Sequence, residues 1–146
     1  MTLAIKIPHG PAGRDQLVDA EGSLGVELPA PYRSFLATVG GGHTGDLEVP
    51  GTDGMGVLQE LYSATDLVAR NASDAREAGF AVSVPREYLL IGEGAGGALC
   101  LQVTGEDRGS VWWADFDLAG EYEDEDPHQD VMIRLAGTFD EFLELF

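Results

Sequence analysis

After Leu28-Pro29-Ala30-Pro31, the apolar residues Tyr32, Phe35, Leu36 and Val39 fall at i, i+3, i+4 and i+7 and predict one helical stripe. Pro31 suits a first turn, and Gly40-Gly41-Gly42 ends the helix and permits a left-handed cap. Upstream, Leu17, Val18 and Leu24 predict a short amphipathic helix over 15–24, with Asp15 as its N-cap. Residues 43–56 are rich in Gly and Pro and predict turns around a strand near Leu47–Val49, followed by a strand over Val57–Tyr62. Ser63 and Asp66 then read as a capping box opening a helix of about Ala64–Ala78 that Gly79 closes. Its stripe of Leu67, Val68, Ala72 and Ala75 is thin, which predicts a helix lying on the surface.

From residue 86 the period shortens to two. Glu87–Ile91, Ala98–Val103, Ser110–Phe116 and Val131–Leu135 read as strands separated by glycine-rich or polar connections, Thr104 to Gly109 among them. Leu99, Leu101 and Val103 share one strand face, Cys100 and Gln102 the other. Trp112 and Trp113 must likewise point to opposite faces, one filling the core and the other lying under a helix or serving as a surface anchor. The chain closes on Thr138 and Glu141 as a second capping box, with Phe139, Phe142, Leu143 and Phe146 as a buried helical stripe. The expected class is α+β. It is a single domain over 1–146, with a central antiparallel sheet flanked by N-terminal helices, a middle helix and a C-terminal helix.

Composition changes the picture chiefly through charge. Eight Lys and Arg face 26 Asp and Glu, a formal charge of −18. Such a field repels nucleic acid and anionic membranes and attracts cationic partners. Taken alone it fits solubility equally well. A single cysteine forms no internal disulfide, and Met1 to Ile7 is too short for a signal core or membrane span, so a cytoplasmic location is expected.

Two motifs invite chemistry and fail on physical grounds. Gly92-Glu93-Gly94-Ala95-Gly96-Gly97 satisfies G-x-G-x-x-G, but it runs into the alternating Ala-Leu-Cys-Leu-Gln-Val and not into a helix whose N-terminus would hold a pyrophosphate. Asp115 to Asp126 has the rhythm of an EF-hand loop, but position five is Ala119, position twelve is Asp126, and a strand precedes it. His9, His43 and His128 fall in turns or loops without the spacing of a zinc site. Cys100 sits inside a strand and reads as a small buried hydrophobe. No catalytic arrangement, cofactor or metal is predicted.

The 115–130 region is more informative as a charge run. Asp115, Asp117, Glu121, Glu123, Asp124, Glu125, Asp126 and Asp130 occur with no Lys or Arg among them, which predicts an extended, mobile loop. It is either a solvated loop or a docking surface for a basic partner.

The order of the motifs adds a further reading. Leu28-Pro29-x-x-Tyr32-x-x-Phe35-Leu36, Gly40-Gly41-Gly42, Ile91-Gly92-x-Gly94-x-Gly96-Gly97, Gly109-x-Val111-Trp112-Trp113-x-Asp115 and Thr138-Phe139-x-Glu141-Phe142-Leu143 follow one another in sequence. The series resembles the Smi/Knr-type branch of the SUKH superfamily over about 12–146. That family usually has Asn-Gly-Gly where this chain has Gly40-Gly41-Gly42, a change that preserves the cap. The resemblance implies a one-domain α+β fold without established catalytic residues. Bacterial members resemble immunity proteins that bind and neutralise a cognate toxin, often a nuclease; fungal members resemble scaffolds in cell-wall synthesis and signalling. The matched motifs build the fold and transfer no binding site. Charge and resemblance together nominate Asp115, Asp117, Glu121, Glu123, Asp124, Glu125 and Asp126, with Glu93, Glu106 and Asp107 at hairpin ends, as contacts for a basic toxin.

Overall fold

The computed structural model describes residues 3–146. The chain enters on a two-residue strand, β1 (Ile7–Pro8), and turns into α1 (Arg14–Leu24). Gly13, and not Asp15, occupies the α1 N-cap; Asp15 lies in the first turn, where its charge meets the positive helix end. Helix α2 (Ala30–Thr38) starts behind Pro29 and buries Tyr32, Phe35 and Leu36. Gly40 ends it at φ +84°, donating its N–H to the Phe35 carbonyl.

Strands β2 (Gly42–Glu48) and β3 (Val57–Leu61) follow, then α3 (Ala64–Arg70), whose N-cap Ser63 accepts the Asp66 N–H. The helix expected to reach Ala78 breaks at Asn71. That side chain accepts the Leu90 N–H at 2.9 Å and donates to the Leu90 carbonyl at 2.8 Å, in the manner of a neighbouring strand. A separate turn of helix, α4 (Ser73–Arg76), and a 3₁₀ turn (Gly79–Ser83) occupy the remainder. As its thin stripe predicts, α3 lies at the surface, burying only Ala64 and Leu67 where it packs against α1 and β4 and leaving Thr65, Ala69 and Arg70 exposed.

The second half alternates as expected: β4 (Tyr88–Ala95), β5 (Gly97–Gln102), β6 (Val111–Asp115), a helical turn α5 (Phe116–Ala119), β7 (Met132–Ala136) and α6 (Phe139–Leu143). All seven strands form one antiparallel sheet in sequence order. Leu99 pairs with Trp113 on one face and Cys100 with Trp112 on the other. Five consecutive residues of β5 are buried, so both faces are covered there. Trp113 fills the core. Trp112 stays half-buried, set edge-on to Tyr88 and donating its indole N–H to Ser110 Oγ. Phe139 joins α6 to α2 through ring contacts with Tyr32 and Phe35. Among the described residues no helix is long and apolar enough to cross a membrane.

Candidate functional site

The glycine motif forms the hairpin between β4 and β5, with its tip at Ala95-Gly96. Gly94 lies where a Cβ would come 1.7 Å from the Val57 carbonyl oxygen, so its bare backbone lets β3 close in. Gly97 pairs with Asp115 across the sheet, which sets the start of the acidic run beside the hairpin tip. The Asp115 carboxylate caps α5, accepting the N–H groups of Asp117 and Leu118 at 2.9 and 3.2 Å. This local role explains why the segment bends into a helical turn directly after the strand.

Beside the tip, the Phe80 and Phe116 rings meet at 5.7 Å, and Phe80 is half-exposed. They line a cleft of about 410 Å³ with Tyr62, Arg70, Leu90 and Glu93. Arg70 reaches Glu93 at 3.3 Å and lies over the Tyr62 ring. Burial, aided by the Glu93 charge, holds the Tyr62 phenol well above its ordinary pKa, so it remains a neutral donor. An adjoining hollow runs over Phe80, Gly96, Gly97 and Phe116 to Asp117 and Glu121. The result is an aromatic floor with carboxylates at its edge, an arrangement suited to an apolar anchor surrounded by cations.

Beyond α5 the acidic segment folds back on itself. Tyr122 stacks on His128 with centroids 3.5 Å apart and planes 9° from parallel, and its hydroxyl donates to Asp130. His128 Nε2 lies 2.6 Å from Asp124 Oδ1, and the His128 N–H donates to the Ser83 carbonyl. Hydrogen bonding to His128, and to the Asp126 N–H, lowers the Asp124 pKa; the bond to Asp130 raises that of Tyr122. The expected extended loop is therefore a turn held by one aromatic stack, which charge density alone does not reveal. Among the described residues, no Lys or Arg forms an ion pair with any carboxylate of 115–130. Arg86 lines a neighbouring hollow together with Glu125.

The nominated residues divide into two groups. Glu93, Asp115, Asp117 and Glu121 gather at the hairpin end of the sheet, and Glu123, Asp124, Glu125 and Asp126 continue from them. Glu106 and Asp107 sit in the β5–β6 connection, at the other end of β6 and roughly 17 Å away along a five-residue strand. Asp107 is held by Arg134 through bonds of 2.9 and 3.1 Å, which lower its pKa. The two groups therefore lie at opposite ends of β6.

Cys100 is fully buried, and burial pushes its thiol up to about 12, which leaves no thiolate for nucleophilic work near neutrality. Histidine spacing carries no sign of a metal site, but the sheet brings His9, His43 and Glu60 together, with ligand atoms all within 4.8 Å of one another. Only strand pairing, and no local motif, signals that meeting.

Residues 11–145 match the SMI1 / KNR4 family (SUKH-1). No curated protein matches the chain.

Proposed function

The chain belongs to the SMI1 / KNR4 family (SUKH-1), and from that membership we propose that it is a non-enzymatic immunity protein that binds and neutralises a cognate basic toxin in the cytoplasm. The observation that carries this reading is the uncompensated charge of 115–130 beside an aromatic cleft. A nuclease must present cations to hold phosphate, and a folded acidic surface competes for those cations while steering the encounter. Phe80 supplies an apolar anchor, and Glu93, Asp117 and Glu121 supply the rim.

Co-expression tests the reading. The product of the neighbouring reading frame is induced in a susceptible host with and without this chain, and growth is followed. Rescue by the wild type, lost on Phe80→Asp together with Asp117→Lys and Glu121→Lys, supports it. A non-toxic neighbour, or toxicity that the wild-type chain leaves unrelieved, contradicts it and favours a scaffold role for the same fold.

A further inference from the structure

Three strands meet at the sheet edge farthest from β7, and each brings one side chain to the same point. His43 on β2 is paired in register with Glu60 on β3 and with Ile7 on β1, and His9 follows β1 directly. His9 Nε2 lies 2.8 Å from Glu60 Oε2, and His43 Nε2 lies 3.9 Å from the same oxygen. The two imidazoles stand edge to face, 5.3 Å between centroids.

The Gly40-Gly41-Gly42 run makes this convergence possible. A Cβ at Gly40 would come 1.6 Å from the Gly10 carbonyl oxygen. At Gly41 it would come 2.5 Å from that of Tyr62, and at Gly42 2.5 Å from that of Ile7. The run thus does more than stop α2: it lets the first strand and the end of β3 close on β2. The His9 N–H to Gly41 carbonyl bond and the Lys6 N–H to His43 carbonyl bond fix the backbone on both sides of the cluster.

We propose that His9, His43 and Glu60 form a binding site for a divalent transition ion of the Zn²⁺ class, tying the two-residue strand β1 to β2 and β3. Two imidazole nitrogens and one carboxylate suit Zn²⁺ and its neighbours and not Mg²⁺ or Ca²⁺, which take oxygen ligands. Bonds of about 2.0–2.1 Å at tetrahedral angles hold ligand atoms roughly 3.4 Å apart. The distances present, 2.8 and 3.9 Å, bracket that spacing, so side-chain rotation suffices. The three side chains are 22%, 51% and 18% exposed, which leaves an approach for the ion and room for water as a fourth ligand. The site lies apart from the acidic cleft and stands whatever partner that cleft takes.

The test is a Zn²⁺ titration of the full chain after chelator treatment, followed by calorimetry and thermal unfolding. One saturable equivalent is expected, unaffected by excess Mg²⁺, with a rise in Tm as metal accumulates on the folded state. His9→Ala and His43→Ala should each weaken binding by more than roughly 10-fold. Binding that survives the double variant, or no saturable equivalent at all, overturns the proposal. A measurement on the unmutated protein covers variants that fail to fold. Zn²⁺ should shift the imidazole resonances of His9 and His43, and a shift confined to His128 places the ion in the acidic segment and also overturns it.

Discussion

Arg76 offers the sharpest test of how the cleft wall is held. The residue is 5% exposed and its guanidinium serves four acceptors: the carbonyls of Tyr88 (2.8 Å), Val84 (3.1 Å) and Pro85 (3.2 Å), and Asn71 Oδ1 (3.3 Å). Burial lowers its pKa, and no acidic side chain pairs with it among the described residues. The cation is therefore solvated by backbone, and it joins α4 to the segment leading into β4, directly after the 3₁₀ turn that carries Phe80. Arg76→Met keeps the aliphatic stem and removes every donor. Each charge-assisted bond is worth about 1.5–3 kcal/mol, while the desolvation of the guanidinium that the variant avoids is worth several. Met leaves these buried carbonyls and the Asn71 amide oxygen short of donors, at about 1–3 kcal/mol for each one left unsatisfied, so after the avoided desolvation the net loss should be about 3–5 kcal/mol. For a chain of this length that corresponds to a Tm drop of roughly 6–20 °C. Urea unfolding with an unchanged m-value measures it, and faster amide exchange over 79–90 should accompany it. Arg76→Lys should recover only part of the loss, because one ammonium lacks the planar fork. A loss below about 1 kcal/mol would refute the reasoning.

Two other outcomes follow from single positions. Gly97→Ala places a Cβ 2.0 Å from the Ala114 carbonyl oxygen and 2.8 Å from the Trp113 ring, so its cost should reach or exceed the top of the roughly 1–3 kcal/mol range for overpacking, as read by chemical denaturation. The Cys100 thiol, with its pKa raised from 9.0 to about 12, stays neutral in the folded state while the unfolded thiol ionises. Stability is thus fully present below pH 9 and declines as pH rises from 9 toward 12; Cys100→Ala should flatten that decline, and an unchanged slope would contradict the assignment.

Much of the fold is legible where local pattern and tertiary need agree. The stripes of Tyr32, Phe35 and Leu36 and of Phe139, Phe142 and Leu143 became buried helix faces, and the alternation through Leu99, Cys100 and Leu101 became β5. Departures occur where a distant group recruits a local one. Asn71 ends α3 because its amide serves Leu90, nineteen residues away, and nothing near Asn71 announces this. Gly92 and Gly94 look like turn residues yet lie within β4, because glycine there answers the close approach of Glu60 and Val57 on β3.

The candidate site divides in the same way. The carboxylates of 115–126 are visible as charge, but the Tyr122–His128 stack that shapes them needs the folded turn. Phe80 carries no signal in the sequence because the predicted helix ends before it, and its exposure depends on the 3₁₀ turn that follows. His9 and Glu60 are 51 residues apart and meet only through strand order.

The central claim, that the acidic surface beside the cleft captures a basic toxin, is tested most directly by association kinetics at varied ionic strength. Stopped-flow mixing of the toxin identified by co-expression with wild type, and with a Glu123→Gln, Asp124→Asn, Glu125→Gln, Asp126→Asn variant, gives the rates. Electrostatic steering predicts a wild-type rate that falls steeply with salt. The variant should associate at least about 10-fold more slowly at low salt and show a flatter salt dependence. Equal on-rates at low salt would contradict the account.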